Sequence, residues 1–216
     1  MQEIPQLQIK TNIKPCKTVC VALCFAGMIV LLITTLALAA WSNADTPHYD
    51  VLVYGSTPGG IQAAISASFE GASVALVSSS ARVGGMMTSG LGHTDKGNPK
   101  AIGGAALKFF HDVCTASDVP PCWDFPPSRA IALFQRMLAS APNVTLIYEY
   151  SVAGVTRDAS TVTSIRLTPL PSLAPQAARY TPMNITADYF IDASYEGDLI
   201  AAASISTAIG REARSM

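Results

Sequence analysis

The sequence predicts an α/β fold: a three-layer domain built on a parallel sheet, with a small inserted β-meander and an apolar helix ahead of it. Three observations support this prediction. A strand–helix–strand unit occupies residues 50–77, strand-like segments dominate residues 144–193, and a long uncharged run precedes both. The strand segments of the first unit are continuously apolar, which is typical of parallel strands covered on both faces.

The uncharged run is the first element in the chain. Residues Thr18–Trp41 contain no charged side chain, and at about 1.5 Å per residue they are long enough to cross a hydrocarbon core of about 30 Å. Lysines in residues 1–17 mark that segment as a cytoplasmic tail and send the rest of the chain to the lumen or outside. The length favours a transmembrane signal anchor. A cleaved signal peptide and a buried core helix are the alternatives.

The strand–helix–strand unit follows a short polar linker. It consists of a strand at Asp50–Tyr54, a helix at Gly59–Glu70 and a strand at Ser73–Val77. Apolar residues recur in the helix at helical spacing and predict the face that packs on the sheet. They are Ile61, Ala64, Ile65 and Phe69.

The turn between the first strand and the helix has glycines where a phosphate-binding turn needs them. Gly55 permits the tight turn, and Gly60 lets the helix and strand pack closely. The amides at the helix start, together with the helix dipole, are then expected to receive a diphosphate, and the Thr57 hydroxyl can add a hydrogen bond. These features predict a Rossmann-like dinucleotide-binding domain of residues 49–216. The alternative is that the glycine-rich turn opens the helix and binds no phosphate. The predicted cofactor contacts are Gly55, Ser56, Thr57, Pro58, Gly59 and Gly60.

The end of the second strand departs from the usual pattern. Ser78 stands where an acidic residue commonly holds the adenosine ribose. A serine can bond a ribose hydroxyl less strongly than a carboxylate can. It would also tolerate a nearby phosphate, so NADP remains an alternative at this position.

The remaining elements are read from periodicity and turn residues. Residues 78–100 are rich in glycine, serine and methionine and predict a functional loop under a ligand. Ser128 is expected to cap the second of two helices that follow. We expect helices at Gly104–Cys114, Ser128–Ser140 and Asp198–Ile205, strands at Val144–Arg157, Val162–Leu167 and Asn184–Ala193, and a loop at Pro169–Pro175.

Cysteines and glycosylation sequons bear on the compartment. Cys114 and Cys122 flank a Pro-Pro turn and can close a short disulfide loop in an oxidising compartment, or remain two buried thiols. Sequons at Asn143 and Asn184 are usable only if the domain is translocated. The net charge of −1 and the lack of a basic run give no reason to expect nucleic acid as a partner.

Three linked blocks resemble a known family. Residues Arg82–Gly90 resemble the R-x-G-G motif of glutathione-reductase-type flavoproteins. More closely, YGSTPGGIQAAI, VGGMMTSGLGHTD and FIDASYEGDLIAAA resemble the FAD-dependent oxidoreductases often labelled xanthan-lyase-like. The resemblance implies FAD as the cofactor, with the double glycine beside its diphosphate and ribityl regions. The residues implied in this way are Arg82, Gly84, Gly85, Met86 and Thr88.

The resemblance also suggests roles for three more distant residues. Val152 would contact adenine through its backbone, and Asp198 would either approach the nucleotide or cap the helix that it begins. His93 would lie near the flavin ring, where it can donate or accept a proton, or else make an ordinary loop hydrogen bond.

Members of the resembled family are longer than this chain. We therefore expect the N-terminal, FAD-binding part of an oxidoreductase that acts on a small-molecule substrate, with a substrate domain or a partner supplying the rest. The alternatives are an inactive fragment and an NAD(P)-binding reductase domain. The expected location is a single-pass membrane protein with a luminal or extracellular domain, or a secreted protein if the signal is cleaved.

Overall fold

The computed structural model describes residues 46–170, 181–208 and 210. Two short 3₁₀ helices, Gly85–Thr88 and Pro99–Ala101, accompany the main elements. The main elements are β1 His48–Tyr54, α1 Pro58–Phe69, β2 Val74–Ser78, α2 Gly104–Asp112, α3 Pro127–Ala139, β3 Val144–Tyr148, β4 Tyr150–Asp158, β5 Thr161–Pro169, β6 Met183–Asp192 and α4 Asp198–Ala202.

The predicted cytoplasmic tail, residues 1–17, and the predicted membrane segment, residues 18–41, lie outside the described residues. Most of the predicted loop at residues 169–175 does too. Within the described part of the chain, no helix combines the length and apolar character needed to cross a bilayer. The membrane anchor therefore stays a prediction.

Six strands form one sheet in the order β3-β2-β1-β6-β5-β4. The pairs β3–β2, β2–β1 and β1–β6 are parallel, and the pairs β6–β5 and β5–β4 are antiparallel. β6 belongs to both parts, because its residues 183–186 pair with β5 and its residues 186–192 pair with β1. The inserted β-meander thus leaves the parallel sheet along one continuous strand.

The two faces of the parallel sheet are covered by different layers. Val53 and Leu76 face helices α1 to α3 and belong to one core cluster. Leu52 and Val77 face the meander and belong to a second cluster, which contains Ile165, Leu167 and Ile185. All five residues of β2 are buried, as a strand covered on both faces requires. The three-layer arrangement follows from this alternation.

Several element predictions need correction. Residues Val144–Arg157 form two strands, because Glu149 adopts a positive φ of 62° and turns the chain from the parallel sheet into the meander. Pro126, with extended backbone, occupies the N-cap of α3, so Ser128 lies inside the helix instead of capping it. Phe69 ends α1 and is 63% exposed, away from the predicted packing face. The last helix ends at Ala202, earlier than predicted.

Candidate functional site

A groove of about 330 Å³ lies where the carboxyl ends of β1, β2 and β6 meet the start of α1. In parallel α/β sheets this edge is where ligands bind. The lining comes from three parts of the chain that lie far apart in the sequence. Its residues are Tyr54, Gly55, Ser56, Thr57, Ser78, Ser79, Ser80, Arg82, Gly85, Met86, Ser89, Ser194, Tyr195, Glu196 and Asp198.

The turn after β1 brings three backbone segments into close approach. Gly55 has a φ of +108°, and a Cβ there would lie 2.5 Å from the backbone carbon of Ala193. A Cβ on Gly60 would collide with the Gly55 carbonyl oxygen and lie 2.9 Å from the Ala193 Cβ. Glycine is therefore needed at both positions, for the tight turn and for the packing of α1 on the sheet, as predicted.

Thr57 is the N-cap of α1. Its hydroxyl accepts a hydrogen bond from the Gly60 amide at 3.2 Å and donates one to the Ala193 carbonyl at 2.9 Å. The single hydroxyl proton is thus directed at β6, so this geometry does not support the expected donation to a phosphate. Since the Gly60 amide is capped, the first-turn amides that remain for a ligand are those of Thr57 and Gly59.

Ser56 and Ser78 join the turn to the end of β2. Their hydroxyls lie 2.7 Å apart, and Ser78 is 1% exposed. The Ser78 hydroxyl also donates to the Ser80 carbonyl at 2.9 Å, and the Gly84 amide donates to the Ser56 carbonyl at 2.8 Å. The serine at the position of the usual acid therefore fixes the shape of the groove. Its role toward a ribose stays a prediction.

Tyr54 is a groove residue that the sequence analysis missed. The Val152 amide donates to the Tyr54 Oη at 3.1 Å, so the predicted adenine contact of Val152 is already engaged, and Val152 does not line the groove. Burial raises the pKa of Tyr54, and the nearby carboxylates of Asp192 and Asp198 raise it further. The phenol therefore stays neutral at pH 7 and keeps a proton to donate. The sequence signal that could have identified it is its position directly before Gly55, at the end of the first strand.

The two glycines of the R-x-G-G motif are required for different reasons. A Cβ on Gly84 would collide with Thr88 and lie 2.8 Å from Phe134, so Gly84 is needed for packing against α3. Gly85 has a φ of +53°, which favours glycine, and a Cβ there would also meet the Tyr195 hydroxyl. The Thr88 hydroxyl is buried and donates to the Val83 carbonyl at 2.7 Å, which stabilises the turn instead of facing the groove.

The groove carries charges of both signs. Among the described residues that line it, Arg82 is the cationic side chain, and Glu196 and Asp198 are the carboxylates. Gly197 is the N-cap of α4, so the alternative that Asp198 caps this helix is wrong; it occupies the first helical position. The Asp192 carboxylate instead accepts from the Ile200 amide at 2.9 Å in that first turn.

His93 lies in a second cluster and does not line the groove. Its Nδ1 contacts the Asp124 carboxylate across a short antiparallel bridge between the two residues. Cys114 and Cys122 form a disulfide, and Cys122 lies two residues before Asp124 in the sequence. Sequence reasoning had no signal for the His93–Asp124 pair, because the two residues are 31 positions apart in loops.

The structure brings eight of the predicted cofactor-binding residues together in the groove: Gly55, Ser56, Thr57, Ser78, Arg82, Gly85, Met86 and Asp198. Pro58 and Gly59 line a neighbouring apolar pocket beside Met87 and Phe134. The loop after β6 was predicted to matter only through its resemblance to the family, and it supplies Ser194, Tyr195 and Glu196 to the groove.

Fold and groove together define a dinucleotide-binding domain, since a parallel sheet, a glycine turn at a helix start and a crevice at the strand ends coincide. A family model described as FAD dependent oxidoreductase matches residues 50–216. The chain belongs to this FAD-dependent oxidoreductase family, and FAD is its cofactor. Among curated proteins, no sequence matches the chain. The finer xanthan-lyase-like resemblance stays a prediction.

Solved structures share the fold at low sequence identity. THI4 of Thermovibrio ammonificans is 18% identical with a TM-score of 0.51, covering 91% of this chain and 73% of that one. The flavin-dependent brominase Bmp2 is 16% identical with a TM-score of 0.51, covering 73% of this chain and 41% of that one. AlpK is 15% identical with a TM-score of 0.50, covering 73% and 34% respectively. The chain thus spans well under half of Bmp2 and AlpK.

Proposed function

We propose that the groove holds the adenosine diphosphate part of FAD and that the chain is the FAD-binding part of an oxidoreductase for a small organic substrate. The observation that carries the proposal is the close approach of the backbone at Gly55 and Gly60 to Ala193. This approach places the N-terminus of α1 beside the groove at the ends of β1, β2 and β6. A turn of this kind presents backbone amides and the helix dipole to a diphosphate.

The residues present fit such a cofactor. The Thr57 backbone and the Arg82 side chain both line the groove and suit the diphosphate, because an amide donates a hydrogen bond and a guanidinium is a cation. The Gly59 amide lies in the first turn of the same helix. The neutral Tyr54 phenol suits an acceptor on the adenosine part. The carboxylates of Glu196 and Asp198 suit hydroxyl groups better than phosphates. When bound, the flavin supplies the hydride chemistry, and the protein binds and orients it.

His93 is the proposed proton donor or acceptor. Its pairing with Asp124 supports this role, because a carboxylate on Nδ1 fixes the imidazole orientation and leaves Nε2 for another partner. The ring is largely exposed, so a substrate can reach it. A His93→Asn variant should take up FAD normally but lose turnover of any substrate that is found, and weakened FAD uptake would contradict the assignment.

The cofactor proposal is tested by titrating the purified full chain with FAD, FMN and NADP⁺ while flavin fluorescence and thermal stability are followed. FAD should bind and stabilise the fold, since a ligand that binds only the native state raises its melting temperature. FMN lacks the adenosine part of FAD and should bind at least about tenfold more weakly, because a loss of about 1.4 kcal/mol of binding free energy raises the dissociation constant tenfold. Stronger stabilisation by NADP⁺, or none by FAD, would overturn the proposal.

We further propose that the domain lies in the lumen or outside the cell, tethered by residues 18–41 or secreted after cleavage. The paired Cys114 and Cys122 support an oxidising compartment. The sequon residues Asn143 and Asn184 are both exposed, so glycans can be accommodated. A mobility shift on glycosidase treatment of cell-expressed protein tests the location, and a free-thiol, unglycosylated protein would contradict it.

A further inference from the structure

Tyr195 reaches across the groove from the loop after β6 to the turn after β2. Its Oη accepts a hydrogen bond from the Met86 amide at 2.9 Å. A Cβ on Gly85 would meet the same hydroxyl and lie 3.0 Å from the Tyr195 Cζ, so the phenol lies directly on Gly85. All three residues line the groove. The phenol therefore occupies space in the groove and accepts a hydrogen bond from the Met86 amide, which would otherwise be available to a ligand.

The loop that carries Tyr195 is fixed on both sides. The Asp192 carboxylate accepts from the Ser194 amide at 2.9 Å and from the Ile200 amide at 2.9 Å, which anchors the loop to β6 and to α4. The Tyr195 side chain, by contrast, is 54% exposed. A change in the Tyr195–Met86 contact is therefore a rotation of one side chain toward solvent and needs no movement of the loop.

We propose that Tyr195 is the gate of the groove: its phenol occupies the Met86 amide and the space over Gly85, and FAD binding there requires the phenol to rotate away. Opening gives the cofactor both the Met86 amide and the space over Gly85. The inference rests on the proposed function, because it assigns FAD to this groove.

The gate makes a prediction opposite to that for an ordinary binding residue. Tyr195→Phe keeps the ring and removes the hydrogen bond from the Met86 amide that holds the ring over Gly85. The net contribution of one hydrogen bond corresponds to about a 2- to 12-fold change in an equilibrium constant, so FAD should bind more tightly by about that factor. Tyr195→Ala also removes the ring and should bind at least as tightly. Tyr189→Phe is the matched control, because Tyr189 is a 72% exposed tyrosine on β6 outside the groove.

The experiment uses the full chain in two states. Without cofactor, hydrogen exchange at the Met86 amide should be at least about twofold faster in Tyr195→Phe than in wild type or Tyr189→Phe, since the amide loses its acceptor. With FAD, the dissociation constants of the three proteins are compared. Unchanged Met86 exchange, or FAD binding by Tyr195→Phe that is equal to or weaker than wild type, overturns the gate. Failure of all three proteins to bind FAD overturns the proposed function instead, and with it the gate.

Discussion

Gly55→Ala is the substitution that probes the nucleotide-binding turn most sharply. Two separate costs arise in the folded protein. The residue has a φ of +108°, and strained backbone of this kind costs about 1–3 kcal/mol for a residue with a side chain. The new Cβ would also lie 2.5–2.6 Å from the backbone of Ala193 and Ser194, and such overpacking costs about 1–3 kcal/mol.

Two other glycines separate these costs. Gly90 has a φ of +115° with open space around its Cβ position, so Gly90→Ala carries the strain alone. Gly154 has open space and no positive φ, so Gly154→Ala carries neither cost and should leave stability equal or slightly higher.

The free energies of unfolding follow from these terms. We expect losses of about 2–6 kcal/mol for Gly55→Ala and about 1–3 kcal/mol for Gly90→Ala. Denaturant titration of the four proteins measures them, and FAD titration should show weakened uptake for Gly55→Ala above all. Equal stability of Gly55→Ala and Gly90→Ala would refute the close approach of β6 to the turn.

Three further predictions concern single contacts. Thr57→Val removes the cap of α1 and should lower stability by about 1 kcal/mol, seen as a melting temperature about 2–4 °C lower. The double variant Cys114→Ser, Cys122→Ser should cost about 2–3 kcal/mol, and a reductant should then leave its melting temperature unchanged, unlike that of wild type. Hydrogen bonds from the Thr115 amide and hydroxyl, with Arg129 nearby, hold the pKa of Asp118 below its ordinary value of 3.8. The stabilisation by this carboxylate is therefore present above pH 3.8 and is lost as the pH falls through the lowered pKa, so Asp118→Asn should destabilise at pH 7 and have little effect near pH 2.

Local sequence signals predicted the nucleotide-binding half of the fold. The apolar runs of β1 and β2 and the glycines at 55 and 60 were informative, because a strand covered on both faces and a tight turn constrain residue type. The ends of the helices were predicted less well. Phe69 has helical spacing but lies at the helix terminus, where the packing face has ended.

The features that sequence could not supply are those set by tertiary contacts. A positive φ at a glutamate, as at Glu149, has no local signal, so the break between β3 and β4 was missed. Tyr195 and Gly85 are more than a hundred positions apart, and only the parallel register of β6 beside β1 brings the loop after β6 to the groove. The same holds for His93 and Asp124, which meet across two loops.

Amide chemical shifts during FAD titration test the central claim most directly, because they report where the cofactor contacts the backbone. The amides of Thr57, Gly59 and Gly85 should shift most and saturate together, while that of Thr161, at the start of β5 in the meander, should stay unchanged. Saturable FAD binding with unshifted amides at the start of α1 would contradict the placement of the diphosphate and, with it, the function that we propose.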